Sequence, residues 1–298
     1  MKKIYYTSAN TPCAEPISCA LGFFDGVHLG HRHLIEECVK EAKELGICSA
    51  VFTFISENDR LKGGTPRLYS TDEKLSLIEE LGVDYAIIAD FSSLSGLSPA
   101  DFVKKVLVND LNTEIAFSGE GFRFGARAEG DAERLSALLS SFGKRAVRVD
   151  DLKYEGKTVS STLIREALAE GRVEYANLLL GSAYFKRGEV KHGLGVGRLH
   201  GFPTVNTELS PDNPLRAGVY ETEITVDGQS YRALTNVGVC PTFGEREKHA
   251  ETMIIDFSGD LYGKTVDIRF LKYLRPETRY SSADELARRI KMDLEAIK

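Results

Sequence analysis

The sequence predicts two folded parts: an α/β domain on a parallel sheet, then a small antiparallel β-barrel domain with a C-terminal helix. Three observations lead there. At roughly 150 residues per domain, a chain of 298 residues is long enough for two cores. As far as Leu180, apolar strand-like runs alternate with helical periodicity, the pattern of parallel strands joined by covering helices. Beyond Gly181 strand follows strand, with a type I′ hairpin signal at Asp227-Gly228 and one convincing helix at the end.

The elements follow in order. Ser18 to Leu21 is a strand that runs into a glycine-containing turn. From His31, the segment HRHLIEECVKEAKELG sets Leu34, Ile35, Cys38, Val39, Ala42 and Leu45 on one helical face, and Gly46 is its stop. ICSAVFTF reads as a buried strand. Ser70 and Glu73 form a capping box before KLSLIEELG, and VDYAIIAD is the next strand. Ser98, with Pro99 in the first turn, opens a helix through Leu107. EIAFSG, a helix around DAERLSALLSSF and the strand AVRVDDL continue the alternation. A helical stretch from Thr162 to Leu180 forms the link, which divides the chain into 1–181 and 182–298. In the second part ETEITV and QSYRALTNVG flank the hairpin turn, TMIIDF and TVDIRFLKYL add strands, and SADELARRIKMDLEAI closes the domain.

Composition narrows the function. With 42% apolar and 28% charged residues the chain is an ordinary globular protein, not low-complexity disorder. A net charge of −6 and a pI near 5.7 argue against broad nucleic-acid or anionic-membrane binding. No apolar run approaches the roughly 18 residues of a membrane span. The N-terminal MKKIYYTSANTPCAEP lacks the apolar core of a signal peptide. Five cysteines, none in C-x-x-C spacing, fit reduced thiols in a cytoplasmic protein.

Gly22-Phe23-Phe24-Asp25-Gly26-Val27-His28-Leu29-Gly30-His31 lies where the first strand hands over to the first helix. Ligands of open α/β sheets bind there, and a helix N-terminus offers free N–H groups to a phosphate. His28 and His31 can aim at one anion, with Gly30 allowing close approach; the plainer alternative is a tight turn with two surface histidines. Ser160, Ser161 and Thr162 open the next helix, with Arg165 one turn on, which suits phosphate binding or a simple N-cap. Between them Phe122, Phe124 and Arg127 belong to a glycine-rich loop able to fold over a ring, or merely to join the core.

A second cluster runs through Gly188, Lys191, Gly193, Gly195, Gly197, Arg198, Phe202, Pro203, Thr204 and Asn206. Its glycines let backbone amides curl round a phosphate, and Lys191 and Arg198 add positive charge. It is not a P-loop, because G-x-x-x-x-G-K-[ST] is absent and no helix pattern follows.

The first cluster resembles the H-x-G-H signature of nucleotidylyltransferases, a Rossmann-like superfamily, and Val159 to Arg165 resembles that superfamily's second signature. That resemblance implies that His28 and His31 hold a triphosphate, with Gly22, Phe24, Asp25, Gly26, Gly30, Ser160, Ser161, Thr162 and Arg165 around the nucleotide. Gly201-Phe202-Pro203-Thr204-Val205-Asn206 resembles riboflavin kinases, with Gly218-Val219-Tyr220, Asn236-Val237-Gly238, Glu251 and Asp260-Leu261-Tyr262-Gly263 as further landmarks in order. It implies Mg²⁺ at Thr204 and Asn206, and Glu251 as catalytic base. Together the halves resemble the bifunctional prokaryotic riboflavin kinase/FMN adenylyltransferase family, the FAD synthetases. The implied substrates are riboflavin, FMN and ATP, with the flavin near Phe122, Phe124 and Arg127. Two rival readings are a riboflavin kinase with a degenerate first domain and a non-enzymatic flavin- or nucleotide-binding regulator. Two departures stand in the first half: Ile55-Ser56-Glu57-Asn58 replaces an acidic residue and a Pro-His-Pro run, and Gly121 replaces Asp or Asn.

Overall fold

A computed structural model of the chain describes residues 1–7, 13–55, 65–191, 204–242, 245–278 and 280–297. They divide into two units, Met1–Ser160 and Ser161–Lys298.

The first unit is a parallel sheet of β1 (Lys2–Tyr6), β2 (Ile17–Leu21), β3 (Cys48–Ile55), β4 (Tyr85–Asp90), β5 (Thr113–Gly119) and β6 (Arg145–Val149), in the order β1-β4-β3-β2-β5-β6. All five residues of β2 are buried, as a central parallel strand covered on both faces requires. The order reverses between β2 and β5, because β2 continues into β3 on one side while β5 pairs with its other edge. That reversal is the switch point where open α/β sheets bind ligands, and it sets the carboxyl end of β2 at the site.

Helix α1 (Leu29–Leu45) starts two residues before the expected His31, because His28 caps it, and Gly46 ends it in a left-handed conformation. Helix α2 (Thr71–Glu79) opens on the full Ser70/Glu73 capping box. Two short helices, α3 (Phe91–Leu94) and α4 (Pro99–Asp101), precede a π-helical stretch over Phe102–Asp110. The expected single α-helix through Leu107 is thus a Ser98-capped turn that widens to π geometry and runs three residues further. Helix α5 (Ala132–Ser140) is capped by Asp131, and the small hairpin β7 (Lys153–Tyr154) and β8 (Lys157–Thr158) follows β6.

The second unit opens with α6 (Ser161–Ala169) and α7 (Val173–Leu180), separated at Gly171, whose φ is +80°. Asn177 ties α7 to the strands by donating to Phe270 O at 2.9 Å and accepting from Tyr184 N at 2.8 Å. The strands are β9 (Tyr184–Glu189), β10 (Thr204–Leu209), β11 (Gly218–Val226), β12 (Gln229–Thr242), β13 (Glu245–Ile254) and β14 (Thr265–Arg275). They pair antiparallel as β10-β13-β12-β11-β14-β9, and the Lys191–Asn206 bridge brings the two ends together into a nearly closed barrel. Gly188 suits that closure: a Cβ there would lie 3.0 Å from Thr207 Cβ. Asp227 and Gly228 take positive φ, 48° and 82°, as a type I′ turn demands. Inside, Thr222, Thr235 and Thr252 form a buried hydroxyl ladder at 2.8 and 2.9 Å. Helix α8 (Ala283–Ala296) packs Leu294 and Ile290 on the outward Val219, Leu234 and Met253.

Candidate functional sites

The turn after β2 carries the first site. Phe24 and Val27 hold positive φ, 53° and 42°, around Gly26 at 87°, so three residues in four bend the chain back on itself. Phe24 is buried under Gly22, where a Cβ would lie 2.8 Å from its ring. Asp25 is buried and accepts from Leu68 N at 3.0 Å, which anchors the turn to the segment before α2. His28 caps α1 by accepting from His31 N at 3.4 Å, and the two imidazoles stack with centroids 3.6 Å apart. Phe24 meets His31 edge-on at 5.4 Å. Gly30 leaves the space that His28 fills, since a Cβ would sit 3.3 Å from its Cε1.

Burial weighs against the charged form of both histidines. Burial pushes His28 down to about 4, and burial, then His28, then Lys74 hold His31 well below the ordinary imidazole value. His31 Nδ1 is buried without a hydrogen-bond partner among the described residues. A polyanion arriving here would favour the charged imidazoles and offer an acceptor to His31 Nδ1.

Beside this turn, Phe122 and Phe124 stack at 5.5 Å in a cavity of about 280 Å³ at the carboxyl ends of the strands. Gly22, Phe54, Phe91 and Arg127 also line it, so the aromatic loop, Arg127 and the first turn meet in one place. Arg127 has a left-handed backbone, φ 55°. Ser160 ends the first unit, whereas Ser161, Thr162 and Arg165 stand on α6 of the second, with Arg165 Nη2 donating to Thr162 Oγ1 at 3.3 Å.

The second site is written in strand register. Asn206 on β10, Glu251 on β13 and Asn236 on β12 stand opposite one another in a single outward row. Thr204, one row along, donates its hydroxyl to Glu251 Oε1 at 2.7 Å. Glu251, Thr204 and Asn236 line a cavity of about 240 Å³ with Leu234, Met253 and α8 residues Leu286 and Ile290. The cavity thus joins a carboxylate to apolar lining, the mixture of apolar walls and a few polar groups common in small-molecule sites. Lys191, at the barrel closure, pairs with Glu208 at 2.6 Å. Gly193, Gly195, Gly197, Arg198, Phe202 and Pro203 lie outside the described residues, as do Ser56, Glu57 and Asn58.

Sequence reasoning missed several residues. Lys74 is buried beside the histidine turn, and the signal was its place one turn before Ile78 on the apolar face of α2. Arg67 stands 5.3 Å above the Phe23 ring. Arg275 and Asp293, which line the second cavity, carry no local motif.

Comparison with known proteins follows this division. A family model described as FAD synthetase matches residues 10–163, and one described as riboflavin kinase matches residues 180–298. A Bacillus subtilis protein named bifunctional riboflavin kinase/FMN adenylyltransferase is 34% identical over 284 residues, 92% of this chain and 89% of that one. Its Haemophilus influenzae namesake is also 34% identical, over 288 residues, 94% of this chain and 93% of the other. A crystal structure described as a macrolide-efflux protein from Streptococcus pneumoniae is 29% identical with a TM-score of 0.89, covering 99% of this chain and 98% of that one. Among the described residues no helix is long and apolar enough to cross a membrane.

Proposed function

The chain belongs to the bifunctional riboflavin kinase/FMN adenylyltransferase family, and from that premise we propose how its residues divide the two reactions. The enzyme phosphorylates riboflavin to FMN with ATP, then transfers AMP from a second ATP to FMN, giving FAD and pyrophosphate. We assign the kinase to 182–298 and adenylyl transfer to 1–181, a division supported by family matches at 180–298 and 10–163.

The observation that carries the kinase assignment is the Thr204–Glu251 hydrogen bond within the Asn206–Glu251–Asn236 row. Glu251 takes the proton from the ribityl hydroxyl as that oxygen attacks the γ-phosphorus, and ADP leaves. Because Thr204 Oγ1 gives its proton to Glu251, its lone pairs stay available to a cation. Thr204 and Asn206 thus offer neutral oxygen donors, which suit Mg²⁺ held mainly by phosphates and water. Bound there, Mg²⁺ would neutralise charge on the transferring phosphates. Lys191 and the glycine-rich stretch with Arg198 would cradle the nucleotide.

In adenylyl transfer an FMN phosphate oxygen attacks the α-phosphorus and pyrophosphate departs. His28 and His31 hold the triphosphate and become cationic as its charge approaches, and the N-terminus of α1 adds its amides. Ser160, Ser161, Thr162 and Arg165 are assigned to phosphate binding, and the cavity of Phe122, Phe124 and Arg127 to the flavin. We place the protein in the cytoplasm, a reading with which its use of ATP and free thiols at Cys13, Cys19, Cys38 and Cys48 are compatible.

The test separates the reactions. With riboflavin, ATP and Mg²⁺ the protein should make FMN and FAD. Glu251→Gln should stop FMN formation while supplied FMN still becomes FAD, and His28→Ala with His31→Ala should do the reverse. A folded variant in which either change stopped both reactions would refute the division.

A further inference from the structure

Behind the histidine turn lies a buried cation that the two reactions as assigned do not use. Lys74 on α2 donates to Thr53 Oγ1 at 2.8 Å, to Phe23 O at 3.1 Å and to Phe54 O at 3.1 Å. An ammonium has three donors, and each finds an acceptor: one in the turn, two at the end of β3. Thr53 Oγ1 itself donates to Phe23 O at 3.0 Å, so the same carbonyl is held from two sides. All three acceptors of Lys74 are neutral. A buried ammonium normally sits against a carboxylate, because desolvation of an uncompensated charge is costly.

We propose that Lys74 is a positioning residue for adenylyl transfer, clamping the Phe23 carbonyl so that the turn presents His28 and His31, and leaving its charge for a bound triphosphate to compensate. The inference rests on the assignment of that reaction to the histidine turn. The neighbouring charged and titratable groups fit it. His31 comes from the first turn of α1 with the N-cap His28 stacked on it, Asp25 from the turn and Arg67 from the segment before α2, and β3 supplies the Thr53 hydroxyl and the Phe54 carbonyl. Asp25 is the single acid among them, and its Oδ1 already accepts from Leu68 N. Burial foremost, then Arg67, draws Lys74 down to about 7, against which Asp25 works. Lys74 in turn helps hold His31 low. Lys74 opposes charging of His31 until an anion arrives, so triphosphate binding and protonation of these groups favour each other. Arginine would not replace this lysine, since its planar fork cannot meet three acceptors converging on one nitrogen.

The experiment uses the full chain with Lys74→Met and Lys74→Arg. Both steps are assayed separately across pH, and the His31 imidazole is titrated by nuclear magnetic resonance. In Lys74→Met, kcat for FMN to FAD should fall by about 10-fold or more with KM for FMN near normal, as expected when preorganised electrostatics are lost. FMN formation should be unchanged, and His31 should titrate at higher pH because a nearby cation is gone. Lys74→Arg should keep His31 close to its original titration while still lowering kcat. Normal adenylyl-transfer kcat in Lys74→Met, or an unmoved His31, would overturn the proposal. Should Lys74→Met lose its secondary structure, Thr53→Val removes one acceptor and leaves the charge. A normal kcat for FAD formation there would overturn the clamp equally. If His28→Ala with His31→Ala still makes FAD, the assignment beneath the proposal fails and the proposal with it. If that variant is inactive while the Lys74 variants behave as wild type, only the role of Lys74 fails.

Discussion

The imidazoles of His28 and His31 lie face to face, 3.6 Å between centroids and 17° between planes, at the first turn of α1. Stacking at this distance disfavours charge on both rings, and burial foremost lowers both imidazoles. Folding therefore excludes protons that the unfolded chain accepts.

The first prediction follows from that exclusion. His28 titrates near 6.5 when unfolded and near 4 when folded, so its neutral form is favoured by the fold. Above 6.5 neither state is charged and nothing is lost. As pH falls from 6.5 to 4 the unfolded chain gains a proton the folded one refuses, which costs about 3 kcal/mol at most. Denaturant unfolding should show wild type losing stability over that window faster than His28→Asn, which keeps a capping side chain. Parallel curves would contradict it.

Arg275 and Asp293 support a prediction in the other unit. Asp293 accepts from Arg275 Nη2 at 2.7 Å and from Nε at 2.9 Å, and the pair joins the end of β14 to α8. Both side chains are nearly enclosed, at 12% and 5% exposure. Removing one partner of a buried pair costs about 3 kcal/mol or more, because the other charge is stranded. Asp293→Ala should lower the melting temperature by several degrees and raise KM for riboflavin, since both residues line the Glu251 cavity. Arg275→Met with Asp293→Leu should recover the melting temperature better than the KM. If the single variant melts as wild type, α8 is held by its apolar face alone.

A third prediction concerns Gly130. A Cβ at that position would stand 2.5 Å from Phe124 Cε1, so any side chain must push the ring away. Phe124 lines the 280 Å³ cavity. Gly130→Ala should raise KM for FMN in adenylyl transfer and leave FMN formation untouched. An unaltered KM would remove Phe124 from the flavin site.

What could be read from the sequence depended on how local its cause was. His28 and His31 were legible because their spacing and their place between strand and helix need no tertiary knowledge. Glu251, Asn206 and Thr204 were reached through resemblance, yet the strand register that aligns Asn206 with Glu251 is set by pairing across the barrel. Lys74 stayed hidden because a lysine on an amphipathic helix ordinarily faces water, and its acceptors come from Phe23, Thr53 and Phe54. The π stretch was equally illegible: buried Phe102, Val103, Val106 and Leu107 suit an α-helical face as well as a π-helical one. Strand β1 was missed because Lys2, Lys3 and Tyr5 are exposed, and its backbone pairing with β4 makes the strand.

The last prediction concerns Gly121, where the resemblance in the sequence leads one to expect Asp or Asn. A Cβ built there meets no heavy atom within 4 Å, so the described fold has room for a side chain. The neighbouring turn is already closed by Phe122 N donating to Gly119 O at 3.1 Å, a backbone bond that substitution would not remove. An amide at this position stands one residue from Phe122, which lines the aromatic cavity. Gly121→Asn should then lower KM for FMN or ATP in adenylyl transfer by a few-fold, the worth of one restored hydrogen bond of about 1 kcal/mol. The kinase step should not respond, because Gly121 belongs to the first unit. Steady-state assays of both steps decide the matter. A raised KM would mean that the open space at Gly121 is itself used by substrate, and the missing side chain would then be an adaptation of this enzyme.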